Sequence, residues 1–320
     1  MNYTEDIKFL IIATVISFAS AAVLGPFIIP LLKKMKFGQS IRVEGPKSHL
    51  VKSGTPTMGG LIIITAAITS TLILNNYSFK TAIVYVSLLG FGMVGFLDDY
   101  IKIALKRNLG LTAKQKLAGQ FIIGIVIAIM GSRLGTETYI PFYNAYINIG
   151  FIYYPFTVLF MLAITNSVNL TDGLDGLASG VTSVVATFFV IVAYKLGAFD
   201  VSLASASILG GCLGFLIFNK YPAKVFMGDV GSLALGGAIG GLAITLKMPI
   251  IVIFVGGVYV GETLSVIIQV ASFKLRQKRV FKMSPIHHHF ELCGWSEVKV
   301  TSVFYFVALI LCVLSYFIIF

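Results

Sequence analysis

The sequence predicts an all-α polytopic membrane protein, and three observations carry that prediction. The 320 residues are 57% hydrophobic and only 12% charged, with a mean hydropathy of +0.94. Soluble domains carry about 25% charged residues, so this composition cannot clothe a globule in polar surface. The apolar residues gather in ten stretches at or near the ~20 residues needed to cross hydrocarbon. The cations are sorted unevenly among the intervening loops. An ordinary soluble enzyme, a disordered chain and a small disulfide scaffold are thereby excluded.

The stretches run Ile7 to Leu32, Met58 to Leu74, Thr81 to Leu97, Leu117 to Gly131 and Ile147 to Thr165, then Leu177 to Leu196, Val201 to Phe218, Val230 to Leu246, Pro249 to Phe273 and Val300 to Phe320. Ala19-Ser20-Ala21 resembles a signal-peptide cleavage site. Glu5 and Asp6 against Lys8 are the wrong charge for such a leader, so a retained first span is expected. The fourth stretch is the shortest. The ninth contains Glu262, which implies a helix broken near Gly256-Gly257 or Gly261, or a protein-lined cavity around the carboxylate. From Ser132 to Tyr146, β-branched and aromatic residues around turn formers predict a small surface hairpin. Cys212, Cys293 and Cys312 are far apart and odd in number, and read as buried small residues. No repeat and no appended soluble domain are visible, so one domain over residues 1–320 is expected.

Ten spans place both termini on one side and divide the loops into two alternating sets. Lys33, Lys34, Lys36, Arg42, Lys47, Lys52, Lys102, Lys106, Arg107, Lys114, Lys116, Lys220, Lys224, Lys274, Arg276, Lys278, Arg279, Lys282 and Lys299 fall in one set. Only Lys8, Lys80, Arg133, Lys195 and Lys247 fall in the other. Nineteen of the 24 cations therefore mark the first set as cytoplasmic, with both termini extracytoplasmic. The net charge of +11 is thus first a topological signal; anionic headgroups and acidic substrates come second, and nucleic acid is not called for.

Five carboxylates from three loops converge on that cytoplasmic face. Asp98 and Asp99 end the third span, Asp172 and Asp175 follow the fifth, and Asp229 precedes the eighth. Carboxylates at the hydrocarbon edge imply a pathway, a partner or a metal. Asp98 and Asp99 sit about 100° apart on a helix, so one is expected to face the bundle and the other the headgroups. Asp172 and Asp175, at i and i+3, share a face if their segment is helical. The Asn and Thr ahead of them could alternatively cap a helix, although a cap needs only one such residue. Gly228-Asp229-Val230-Gly231-Ser232 reads as a turn opening a helix. Its free N–H groups favour phosphate, and Asp229 is a natural Mg²⁺ ligand. The same glycines could simply permit close helix packing. His287, His288 and His289 lack the spaced partners of a zinc site, so phosphate contact fits them better.

These residues resemble a known family. Lys52-Ser-Gly-Thr-Pro-Thr57-Met-Gly-Gly60, Asp98-Asp99-Tyr-Ile-Lys102, Asn169-Leu-Thr-Asp172-Gly-Leu-Asp175-Gly, Phe226-Met-Gly-Asp229-Val-Gly-Ser and Pro285-Ile-His287-His-His289-Phe-Glu-Leu-Cys-Gly-Trp295 occur in order. Together they resemble the phospho-N-acetylmuramoyl-pentapeptide transferases of bacterial peptidoglycan synthesis, within the polyprenyl-phosphate N-acetylhexosamine-1-phosphate transferase superfamily. The likeness spans essentially the whole chain.

The resemblance implies a multi-pass enzyme of the bacterial inner membrane with its active site facing the cytoplasm. It would use Mg²⁺ to transfer phospho-N-acetylmuramoyl-pentapeptide from its UDP carrier to undecaprenyl phosphate, releasing UMP. By the same resemblance Asp229 would hold Mg²⁺ and Asp98 would act as general base on the lipid phosphate. Asp99 and Asp172 would support that site, with His287 near the pyrophosphate and His288 and His289 beside it. Asn219, Phe226, Asp175 and Lys52 would hold the uridine, with the backbone of Leu170 and Gly173, and Asn169 would also bind substrate. Lys102, Lys114 and Thr57 would serve nucleotide or phosphate recognition. Partners are the two substrates and membrane lipid; a homodimer is left open. The alternatives weighed are transfer of plain N-acetylglucosamine-1-phosphate and, in a different class, an anion transporter. A transporter would place its ionisable groups near the bilayer midplane rather than at one edge.

Overall fold

The computed structural model describes residues 3–34, 52, 54–105 and 110–320. Lys36, Arg42, Lys47, Lys106 and Arg107 of the cation pattern lie outside the described residues. The helices are α1 (Tyr3–Lys34), α2 (Gly60–Ile73), α3 (Phe79–Ala104), α4 (Ala113–Ser132), α5 (Tyr153–Thr171), α6 (Leu177–Lys195), α7 (Phe199–Asn219), α8 (Gly228–Thr245), α9 (Val252–Val255), α10 (Gly257–Arg276), α11 (Ile286–Leu292) and α12 (Glu297–Ile319). The only sheet among the described residues is a hairpin of β1 (Glu137–Ile140) and β2 (Ala145–Asn148). It is antiparallel, with Glu137 opposite Asn148 and Tyr139 opposite Tyr146. It starts in the loop where a hairpin is expected but runs past Tyr146 to Asn148, so the fifth helix begins only at Tyr153, later than the Ile147 predicted.

Nine of the described helices are long and apolar enough to cross a membrane. The second predicted span falls short, because α2 has 14 residues, about 21 Å of rise. The residues before it leave the helical path. Met58 has a positive φ, and the chain from Pro56 to Gly60 laces backbone to backbone with Phe226 and Met227. The fourth span is longer than its apolar core suggests, because a reciprocal capping box between Thr112 and Gln115 starts α4 within the polar loop. Such caps contribute about 1 kcal/mol each. The ninth stretch is broken at Gly256, where α9 stops and α10 begins.

The core gathers around α8, buried along nearly its whole length. Its interfaces rest on absent side chains. A Cβ on Gly237 would lie 2.5 Å from the Ser87 carbonyl of α3, and one on Gly236 would lie 2.5 Å from Thr165 Cα of α5. Small residues allow this backbone approach, which supplies packing where no solvent drives burial. The consequence for function is positional. The N-terminus of α8 is clamped against the C-terminal parts of α3 and α5, the segments that carry the acidic residues. Cys212 and Cys312 are buried as expected, whereas Cys293 is exposed, because it follows α11 in a surface turn; all three are free thiols.

Candidate active site

Gly95 and Gly228 set the geometry of the acidic cluster. A Cβ on Gly95 would sit 2.1 Å from the Asp229 carbonyl oxygen, so any larger residue would push α3 from the start of α8. Gly228 has φ +74°, open to glycine at little cost, and its Cα faces Asp99 Oδ2 and Thr57 Oγ1. Asp98, Asp99 and Asp229 consequently offer carboxylate oxygens that lie within 4.8 Å of one another. Asp98 and Asp99 are each only 3% exposed. The expectation that one of them would face the headgroups is therefore corrected. The end of α3 is covered by the 110–111 segment on one side and by α8 on the other, with Leu111 N–H donating to Asp98 Oδ1 at 2.8 Å and Val230 N–H donating to Asp99 Oδ2 at 3.1 Å. That second bond takes one of the N–H groups at the start of α8 that the sequence leaves free for phosphate.

Two lysines partly neutralise the cluster. Lys102 Nζ lies 2.5 Å from Asp98 Oδ2, 2.9 Å from Asp229 Oδ2 and 3.5 Å from Asp99 Oδ1. Lys116 Nζ lies 3.0 Å from Asp229 Oδ2 and donates to Asn169 Oδ1 at 3.3 Å. Asn169 Nδ2 donates to Asp229 Oδ1 and to Ser232 Oγ, both at 2.8 Å. Lys114, which the resemblance gives a part in nucleotide or phosphate recognition, is exposed, and it is Lys116 that reaches Asp229. Helical spacing holds the signal that distinguishes them. The inward stripe Gln120, Gly124, Ile127 and Gly131 extends back four residues to Lys116 and bypasses Lys114.

Asp172 and Asp175 do not share a helical face. The 172–176 segment is a run of turns, with Asp172 ending α5 and Gly176 opening α6 at φ +79° without a side-chain cap. Neither the i, i+3 reading nor the capping reading is realised. Asp172 is half-buried beside the cluster. Loss of solvent, then the charges of Asp229, Asp99 and Asp175, pushes its carboxyl well above the ordinary carboxylate range.

Asp175 belongs to a second network. Lys52 Nζ lies 2.8 Å from Asp175 Oδ1 and 2.7 Å from Glu297 Oε1. Glu297 also accepts the Asp175 N–H at 2.6 Å, and Asp175 Oδ2 accepts the Ala223 N–H at 2.9 Å. Asn219 is buried with its amide spent on protein, accepting from Gly176 N–H and Ser179 Oγ and donating to the Val225 carbonyl. Phe226 is half-buried next to this network, its N–H bonded to the Pro56 carbonyl and its own carbonyl accepting from Gly59. Glu297 is absent from the sequence reading, since it lies in no quoted motif and looks like an ordinary acidic first turn of α12.

The three histidines point to different partners. His287 is buried against Glu262 of α10, and Gly173 lies against its Nε2. His288 Nδ1 lies 2.8 Å from Glu291. His289 Nδ1 accepts the Lys282 N–H at 3.1 Å. Both alternatives for Glu262 hold together: the helix is broken at Gly256 and the carboxylate is enclosed by protein. Thr57 is buried near Gly228, and Leu170 is half-buried in the last turn of α5.

Comparison with known proteins fits this arrangement. The profile described as "Glycosyl transferase family 4" matches residues 81–247, and the "Phospho-N-acetylmuramoyl-pentapeptide-transferase signature 1" matches residues 52–64. A phospho-N-acetylmuramoyl-pentapeptide-transferase of Clostridium botulinum (strain Eklund 17B / Type B) is 54% identical over 319 residues, covering 98% of both chains. Those of Clostridium perfringens (strain 13 / Type A) and Thermoanaerobacter sp. (strain X514) are 52% and 50% identical over 309 residues, each covering 96% of this chain and 98% of the relative. Likeness at that coverage takes in both ends of the bundle and is not confined to the acidic cluster. The chain is a multi-pass membrane enzyme and belongs to the phospho-N-acetylmuramoyl-pentapeptide-transferase family.

Proposed function

We propose that the chain transfers phospho-N-acetylmuramoyl-pentapeptide from UDP-N-acetylmuramoyl-pentapeptide to undecaprenyl phosphate, forming lipid I and UMP, with Mg²⁺. The observation that carries this reading is the three-carboxylate, two-lysine cluster at the lysine-rich end of the bundle. Three carboxylates against two ammonium groups leave excess negative charge in a largely enclosed place, which is costly unless a cation joins it. Asp229, supported by Asp99, would hold Mg²⁺, whose preference is for such hard oxygen donors, and Asp98 would be left free to take a proton. When bound, the ion would offset the charge of the joined phosphates.

The protein's own residues account for the rest. An oxygen of the lipid phosphate forms a bond to the sugar-bearing phosphorus, the bond from that phosphorus to the bridging oxygen breaks, and UMP departs with the electron pair. Two anions must approach, so Lys102 and Lys116 lower their repulsion. Asp98 is the candidate to take a proton from the lipid phosphate, and we favour direct transfer over a covalent aspartyl intermediate. Phe226 would stack on uracil, with Lys52, Asp175 and Asn219 shaping that end of the donor site. The cation pattern supports a cytoplasmic active site in the bacterial inner membrane and extracytoplasmic termini. The same reading takes residues 1–320 as one catalytic domain with ten crossings, α2 being the short one.

The test is UMP release by the detergent-purified protein with Mg²⁺ and polyprenyl phosphate. UDP-N-acetylmuramoyl-pentapeptide and UDP-N-acetylglucosamine are run side by side, with and without chelator. Turnover of the first donor alone, abolished by chelator, is expected. Turnover of the second alone would keep the chemistry and replace the substrate. Chelator-insensitive solute uptake with no turnover would sink the reading.

A further inference from the structure

Glu262 and His287 form a pair that the reaction above does not yet use fully. Glu262 lies in the second turn after the Gly256 break and is 0% exposed, while His287 is 1% exposed. Their Oε1 and Nδ1 atoms are 3.0 Å apart. The carboxylate's helix is held in place beside α5 by Thr263, whose hydroxyl donates to Ser167 Oγ at 2.8 Å. A carboxylate in its ionised form only accepts, which would put the imidazole proton of this bond on Nδ1 and leave Nε2 for another partner.

That nitrogen is buried and has no hydrogen-bond partner among the described residues. It lies directly over Gly173, where an added Cβ would come within 2.1 Å of it. Glu262 Oε2 is likewise buried and unpartnered. Buried polar atoms are ordinarily satisfied, so an unsatisfied nitrogen aimed at the Asp172–Gly173 loop implies a group that arrives with substrate.

We propose that Glu262 is a positioning residue for the transfer: by accepting Nδ1–H it fixes the tautomer and ring orientation of His287, so that Nε2 is presented over Gly173 to the pyrophosphate of the bound nucleotide sugar. The inference rests on the reaction proposed above for its substrate, and on this chain's geometry for everything else. Carboxylates behind metal-ligating imidazoles fix tautomer and orientation in this way, and their loss there typically costs about 10–100-fold, which sets the scale expected for Glu262.

The experiment combines nitrogen-15 NMR of histidine-labelled protein with steady-state kinetics on Glu262→Ala and Glu262→Gln. The His287 signal is assigned by its disappearance in His287→Gln. Wild type is expected to carry the neutral-state proton on Nδ1. Glu262→Ala should move that proton to Nε2, while Glu262→Gln, whose amide oxygen still accepts, should keep it on Nδ1. In turnover, Glu262→Ala should lose about 30-fold in kcat with the donor KM held within about 3-fold, and Glu262→Gln should stay within about 3-fold of wild type. An Nε2–H tautomer in wild type, or the same tautomer in wild type and Glu262→Ala, overturns the proposal. If Glu262→Ala fails to fold, a Glu262→Gln variant as impaired as His287→Gln overturns it instead. Failure of the wild type to release UMP would sink the proposed reaction, yet the tautomer would still decide what Glu262 does to His287.

Discussion

Two carboxylate clusters sit at the lysine-rich end of this bundle, and they differ in how closely their carboxylates crowd together. The Lys52 network sets one ammonium between Asp175 and Glu297, and backbone N–H groups of residues 175 and 223 bind the same two carboxylates. It ties the 172–176 turn to the 219–225 loop and the start of α12. The cluster of Asp98, Asp99 and Asp229 likewise has one carboxylate more than it has lysines, and it rests on helix ends that glycines bring too close for side chains. Removing one partner from a buried ion pair strands the other, so both clusters resist substitution. Each cluster has one carboxylate more than it has lysines, but only in the second do three carboxylates come within 4.8 Å of one another. The difference separates a strut from a site prepared for incoming charge.

The largest expected effect is on the three-carboxylate cluster. Asp229→Ala should reduce UMP release by about 10³-fold or more, with no recovery at any Mg²⁺ concentration, since it removes the carboxylate shared by both lysines. A fully active variant in Mg²⁺ would take Asp229 out of the metal site. Next in size is the contrast between neighbouring lysines. Lys116→Ala should cost about 30-fold in kcat, whereas Lys114→Ala should stay within about 2-fold, because an exposed charge at this distance is screened. Equal losses would mean that α4 meets substrate by a face other than the one packed here.

The strut predicts a different signature. Glu297→Ala should raise the nucleotide-sugar KM by about 10-fold and leave the Mg²⁺ half-saturation unchanged, because it loosens Lys52 and the 175 turn without touching Asp229. Phe226→Ala should weaken donor binding by a similar factor, in line with about 1–3 kcal/mol for stacking on a base, and leave the lipid's apparent affinity nearly unchanged. A shift in Mg²⁺ dependence from Glu297→Ala would merge the two clusters into one. Weakened lipid affinity from Phe226→Ala would move that ring to the acceptor groove.

How far the sequence can be read depends on whether a feature is local. Apolar length, the Ser132 to Tyr146 hairpin and the convergence of Asp98, Asp99, Asp172 and Asp229 on one end follow from composition and from the alternation of helix direction. The second span escapes that reading because Met58 and Gly59 are apolar or small, and hydropathy does not register a backbone laced to Phe226 and Met227. The resemblance names Lys114, whereas the stripe of buried residues on α4 leads to Lys116, the lysine that reaches Asp229. Glu297 and the Glu262–His287 pair are long-range contacts, separated from their partners by 122 and 25 residues, and no local pattern encodes such a meeting.

The smallest effect concerns stability and tests whether Asp172 belongs with the three-carboxylate cluster. Its carboxyl is pushed up by loss of solvent and by Asp229, Asp99 and Asp175, so the folded protein holds the Asp172 proton more tightly than the unfolded chain does. The charged form therefore destabilises the fold. That cost is absent below the unfolded value of about 3.9, grows as pH rises toward the folded value and is constant above it. Asp172→Asn keeps the uncharged shape, so in chelator its thermal midpoint should exceed wild type at pH 8 and converge on it as pH falls toward 4. Solvent at this half-buried side chain keeps the expected gain to about 1–2 °C. The same substitution should lower activity, because the charge that destabilises the metal-free fold is the one the site would set against Mg²⁺ and substrate. An Asp172→Asn variant less stable than wild type at pH 8 would show instead that the Asp172 carboxylate is held by partners of its own, as Asp175 is.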